Sequence, residues 1–96
     1  MANKVIIEEY AAFDPEKQIP TKWLTTQVLD VAEKSAKLDA QTTYIRIRVK
    51  GVGVWYNMGD STVSAVAETD DNSWIEPGDF VDHNVKGLYI DTAADV

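Results

Sequence analysis

Ninety-six residues, 45% of them apolar and none of them cysteine, set the size of one domain with an ordinary core. They exclude a disulfide framework and a thiolate metal site. The net charge of −7 is uneven: residues 1–59 carry eight Lys/Arg against seven Asp/Glu, and residues 60–96 carry one against nine. Phosphate neutralisation needs clustered bases, so nucleic acid is not an expected partner. The acidic C-terminal third reads either as a solubilising surface or as a face for a basic partner.

No apolar run reaches the roughly 18 residues of a membrane span, so a membrane is not an expected partner either. The opening Met1–Glu9 is broken by Glu8 and Glu9, and no secretory leader is expected there. The composition fits the cytosol, or a particle assembled in it.

Val5 to Tyr10 reads as a short strand with Ala11-Ala12-Phe13 as its candidate extension, and Asp14 to Pro20 reads as a loop punctuated by Pro15 and Pro20. Over Trp23 to Lys37 two patterns compete. Val28, Val31, Ala32, Ser35 and Ala36 have helical spacing, whereas Thr25 to Val31 is β-branched with a period of two. Propensity alone slightly favours a helix over 26–38.

The clearest stretch is Thr42 to Asp60. Ile45, Ile47 and Val49 alternate with Arg46, Arg48 and Lys50, then Val54, Tyr56 and Met58 alternate with Gly53, Trp55 and Asn57. Two strands therefore meet at a bend that Gly51 and Gly53 permit. Gly59-Asp60-Ser61 reads as a turn, and Thr62 to Ala67 as a short strand or irregular connection. Thr69 to Ser73 is a polar loop and Trp74-Ile75-Glu76 a short extended piece. Glu76-Pro77-Gly78-Asp79 is a turn. Phe80 to Val85 and Leu88 to Asp91 are strands, and Thr92 to Val96 is a frayed tail. About seven short strands with frequent turn signals predict a mainly β fold: one antiparallel β-sandwich or jelly-roll-like barrel. The domain spans 1–96, with 1–20 available as an N-terminal arm or exchanged strand.

Chemistry is sparse. The single histidine, His83, has no nucleophile pattern beside it and reads as an exposed strand or loop residue. A zinc site needs more His or Cys ligands than the chain has. Asp70, Asp71, Asn72, Glu76 and Asp79 are the densest oxygen cluster, but they lack the order of a calcium loop. Gly51-Val52-Gly53 lacks the lysine and helix start of a phosphate loop. No catalytic residue, metal ligand or cofactor is predicted, and a small hydrolase is the least favoured class. The aromatic residues Trp23, Trp55, Trp74, Tyr44, Tyr56 and Tyr89 suit a core, a protein interface or a sugar platform.

Residues 28–60 and 74–93 resemble small virion proteins of tailed bacteriophages. The resemblance rests on Val28-Leu29-Asp30-Val31, Ser35-Ala36, Leu38, Thr42 to Arg48, Val52 to Asp60, and Gly87-Leu88-Tyr89-Ile90. The chain departs from that pattern at Trp74 to Phe80, and Val5 to Pro20 falls outside it. The resemblance favours a strand over 26–32 followed by a loop, and that reading is adopted. It implies a compact β-sandwich without catalytic residues, built into the particle.

The expected role is a capsid decoration (cement) protein that bridges major capsid protein subunits on the virion surface. A homo-oligomer, with a trimer favoured, is the expected form, assembled in the host cytoplasm. A head–tail connector or tail accessory protein is the alternative. A carbohydrate-binding module for host attachment, with exposed coplanar Trp rings, is the alternative of another class. Trp23, Trp55 and Trp74 are the expected interface anchors. Arg46 and Arg48 either pair with acidic capsid loops or form a solvated strand face. Val5, Ile6 and Ile7 are expected to pair with a neighbour's sheet edge.

Overall fold

The computed structural model describes residues 4–30, 33–65, 73–85 and 89–94. They form seven strands: β1 (Lys4–Asp14), β2 (Ile19–Asp30), β3 (Tyr44–Lys50), β4 (Val54–Gly59), β5 (Ser73–Ile75), β6 (Phe80–Asn84) and β7 (Tyr89–Ala94). A four-stranded sheet runs β2-β1-β3-β6 and a three-stranded sheet runs β5-β4-β7, with every named pairing antiparallel. This is the expected two-sheet β architecture, with no helix among the described residues.

The period-two pattern explains the layers. Val5 and Ile7 on β1 and Ile45, Ile47 and Val49 on β3 turn inward from the larger sheet. Val54, Tyr56, Ile75 and Ile90 meet them from the smaller one, and Leu38 enters from the β2–β3 connection. Removing each aliphatic side chain from water contributes roughly 1.5–3 kcal/mol, and that drives the two sheets together.

Four local expectations need revision. The Asp14–Pro20 loop is shorter than expected, because β1 and β2 pair as far as Asp14 and Ile19. Asp14 Oδ1 accepts the backbone N–H groups of Glu16 (2.9 Å) and Lys17 (3.2 Å), and Gln18 closes the turn at φ 58°. β3 and β4 do not pair with each other. Gly51, at φ 92°, turns the chain from one sheet into the other. The expected frayed tail begins too early, since Thr92 is buried and pairs with Tyr56. The N-terminal segment is not an arm in this chain: β1 sits between β2 and β3, so both of its edges are filled. The strand reading of 26–32 holds through Asp30, where β2 ends; Val31 and Ala32 lie outside the described residues.

β2 carries an irregularity. Glu9 pairs with Thr25 and Tyr10 with Trp23, so Leu24 is an extra residue forming a β-bulge. Lys22 beside it adopts φ 58°, an uncommon conformation for a residue with a Cβ.

The inward position after Val5 and Ile7 is Glu9, whose exposure is 0%. Its carboxylate accepts from the Asp39 backbone N–H (2.7 Å), the Thr42 hydroxyl (2.9 Å) and the Gln27 side-chain amide (3.0 Å). Gln27 in turn grips Ala36 through both backbone groups, accepting its N–H at 2.9 Å and donating to its carbonyl at 3.2 Å. The connection is thereby held against the larger sheet.

Its first half is bound to the smaller sheet. Ser35 N–H donates to the Ile90 carbonyl (2.8 Å), Ile90 N–H donates to Ser35 Oγ (2.9 Å), and the Thr92 hydroxyl donates to the Glu33 carbonyl (2.7 Å). Glu9→Ala strands the buried Thr42 hydroxyl and the part-buried Asp39 N–H together, each costing about 1–3 kcal/mol. Urea unfolding is expected to show a loss of about 3 kcal/mol or more, with Glu9→Gln losing less.

Gly53 is buried beneath the Trp74 indole, and an added Cβ would fall within the ring's carbon shell. Gly53→Ala is expected to lower stability by about 1–3 kcal/mol through overpacking, read by the same unfolding curve.

A candidate protein interface on the four-stranded sheet

The outer face of the larger sheet is set by cross-strand register and reads in four rows. Trp23, Tyr10, Tyr44 and Asn84 form one, and Thr26, Glu8, Arg46 and Asp82 the next. Val28, Ile6, Arg48 and Phe80 follow, and Asp30, Lys4 and Lys50 complete the face. Trp23 is 61% exposed, Val28 60% and Phe80 44%. Large apolar groups left in water on one face mark a contact surface.

The charged groups between them are ordered. Arg46 makes a two-pronged ion pair with Asp82, Nε to Oδ1 at 2.7 Å and Nη2 to Oδ2 at 2.9 Å. Arg48 Nε donates to Glu8 at 3.1 Å, and Lys4 pairs with Asp30. Both guanidinium groups lie over the Phe80 ring, 4.5 Å and 5.5 Å from its centre. Partly exposed pairs of this kind contribute only about 0–1 kcal/mol each to stability. Their effect is to hold the arginines in one geometry against the Phe80 ring.

The Asp82 hydrogen bond raises the Arg46 pKa against the opposing effect of burial, so this guanidinium stays charged. Burial, followed by the Glu8 charge, raises the Tyr10 phenol; burial and then Asp82 raise that of Tyr44. Both phenols therefore remain neutral donors at ordinary pH. Phe13 stacks on Tyr44 at 4.6 Å, and Trp23 Nε1 donates to Thr26 Oγ1 at 2.9 Å, which lays the indole along the strand. The face thus combines Trp, Tyr and Arg, the side chains enriched at the energetic centres of interfaces.

The other expected anchors lie elsewhere. Trp55 and Trp74 pair across β4 and β5 on the outer face of the smaller sheet, with ring centres 5.1 Å apart and planes tilted by 49°. They are half-buried and not coplanar. Segment 60–65 crosses this face: Asn57 donates to the Ser64 carbonyl (3.3 Å) and Ala65 N–H donates to Asp91 (2.8 Å). Trp55 Nε1 is buried without a hydrogen-bond partner among the described residues.

Val5 and Ile7, expected at a neighbour's edge, instead fill the core in this chain, while Ile6 lies half-buried between Val28 and Arg48 on the outer face. The structure therefore gathers Trp23, Arg46, Arg48 and Ile6 on one surface and separates Trp55 and Trp74 from them.

His83 is also corrected. It is half-buried on the inner side of β6 and hydrogen-bonded to the Tyr56 hydroxyl across the sandwich. Glu76 and Asp79 are exposed, and Asp70, Asp71 and Asn72 fall outside the described residues. Among the described residues, no group of three or more His, Asp or Glu is placed to hold a metal ion. No helix among them is long and apolar enough to cross a membrane.

Sequence reasoning missed Phe80, Val28 and Tyr10 as members of the face. Parity along each strand assigns their side, but their neighbours depend on strand order. Comparison with protein-family models, curated proteins and solved structures gives no match in any of the three. The class that stands is an all-β protein of two antiparallel sheets with an aromatic–arginine outer face.

Trp23→Ala removes an exposed side chain and is expected to change unfolding free energy by no more than about 0.5 kcal/mol. The same variant is expected to lose most of the acrylamide-quenchable tryptophan fluorescence, leaving the less accessible Trp55 and Trp74.

Proposed function

We propose that this chain is a non-enzymatic structural protein of a tailed-phage virion, a capsid decoration protein that docks through the outer face of its four-stranded sheet. The observation that carries the reading is Trp23, 61% exposed in the same row as Tyr10 and Tyr44 and close to the paired Arg46 and Arg48. The resemblance of residues 28–60 and 74–93 to small virion proteins supports the role, and the two-sheet fold agrees with what that resemblance implies.

The mechanism is mechanical. An interface of about 1,600 Å² between chain and capsid subunit is a standard size for specific association. Repeated over many seams, and strengthened where copies form a trimer that engages several subunits together, modest contacts sum to a firm clamp. Trp23 and Phe80 supply apolar area to be desolvated, and the arginines supply direction.

Co-expression with the major capsid protein of the same genome tests the reading. The chain is expected to co-sediment with assembled shells in a density gradient. Trp23→Ala is expected to weaken shell binding by about 30-fold, the scale of a hot-spot residue. A wild-type chain that stays at the top of the gradient while shells sediment would defeat the proposal.

A further inference from the structure

The row of Trp23, Tyr10, Tyr44 and Asn84 lies at one end of the outer face. Tyr44 opens β3 and Asn84 closes β6, while β1 and β2 run on past the row. Phe13 from that overhang stacks on Tyr44 at 4.6 Å and buttresses its ring. Trp23 is 61% exposed, yet its indole is pinned to Thr26, so the ring is held in place in water. Adjacent strands lie about 4.8 Å apart, so Trp23 and Tyr44, two strands from each other, are separated by about 9.6 Å at the backbone.

The row carries no charge, and the charges beside it are matched. Arg46 is paired with both carboxylate oxygens of Asp82, and Arg48 with Glu8. What complements such a row is an uncharged occupant rich in apolar area. A sugar is one, but it needs free polar side chains for its hydroxyls. Thr26, Glu8 and Asp82, the polar groups of the next row, are already bonded to Trp23, Arg48 and Arg46. A polyproline II segment needs far fewer. Its rings pack on aromatic side chains, its backbone carbonyls are free to accept, and it repeats every three residues, about 9.3 Å. That repeat matches the step from Trp23 to Tyr44.

We propose that this row binds an uncharged, proline-rich segment of the partner in the polyproline II conformation, laid across the strands. One proline packs on Trp23 and the proline three residues along packs on Tyr44, with Tyr10 between them. The Tyr10 and Tyr44 phenols, which stay protonated, and the exposed Asn84 amide are the groups of the row that can donate to the segment's carbonyls. A segment already extended before binding gives up little conformational entropy, so few contacts suffice. The inference deepens the interface reading above: it rests on that reading for which protein carries the segment, but not for the chemistry of the row.

The test uses the isolated chain, labelled with ¹⁵N, and an uncharged probe, hexaproline acetylated and amidated at its ends. A glycine–serine hexapeptide with the same ends and cellohexaose are titrated in parallel. Hexaproline is expected to shift the Trp23 indole N–H and the amides of Tyr10, Tyr44 and Asn84, with half-saturation below about 1 mM. Trp23→Ala, whose unchanged spectrum elsewhere reports an intact fold, is expected to weaken that response about ten-fold or more, and Trp23→Phe, which keeps a ring, to weaken it less. No response to hexaproline, an equal response to the glycine–serine peptide, a stronger response to cellohexaose, or full binding by Trp23→Ala would each overturn the proposal. Capsid shells play no part in this measurement. A chain that binds hexaproline but does not sediment with shells would defeat the decoration role alone.

Discussion

The buried carboxylate of Glu9 is the constraint on which the rest of this sandwich depends. A carboxyl group with no exposed surface is tolerated where its oxygens accept hydrogen bonds. Here the Asp39 backbone, the Thr42 hydroxyl and the Gln27 amide supply them. Those partners come from β2 and from the connection that leads to β3. One side chain near the start of the fold therefore sets the path of residues 36–42. That path places Ser35 where it exchanges hydrogen bonds with Ile90. The smaller sheet is thus docked through a polar relay as well as through the apolar core.

This arrangement separates two duties between the faces of the larger sheet. The inner face holds the aliphatic residues and Glu9, and it is closed. The outer face is built from the alternate residues of the same strands, so on β3 each arginine has core residues as its chain neighbours. Arg46 lies between Ile45 and Ile47, and Arg48 between Ile47 and Val49. An interface carried this way rests on rigid strands, and its side chains are ordered before any partner arrives. The ion pairs with Asp82 and Glu8 contribute to that order more than to stability.

Much of the layer pattern was legible along the chain. Alternation from Thr42 to Asp60 placed Ile45, Ile47, Val49, Val54 and Tyr56 on the side that proves buried. Parity also carried information that polarity masked. Glu9 follows Val5 and Ile7 at spacing two, and His83 follows Val81, yet Glu9 stood out only as a break in the apolar run and His83 read as an exposed residue. Their partners Thr42 and Tyr56 lie far away in sequence. The Gly51 bend was legible, but a hairpin and a passage between sheets both call for such a glycine. Trp23 was picked out as a contact residue, whereas its row-mates followed only from strand order. The β1–β2 hairpin hid in the sequence because Pro15 and Pro20 mark its turn and the β2 end without fixing where pairing stops.

The bulge at Leu24 bears on how such a protein behaves when crowded. β2 is an edge strand of twelve residues, long enough to recruit a foreign strand and seed a growing ribbon. Pro20 lacks a donor, Lys22 turns through a left-handed conformation, and Leu24 breaks the repeat. Together they cut the edge into a distorted half and a regular stretch of six residues, Thr25 to Asp30. A template interrupted in this way propagates poorly from chain to chain. The irregularity that costs the hairpin some regular pairing thus acts as a chain terminator, keeping stored copies from zipping edge to edge into fibres.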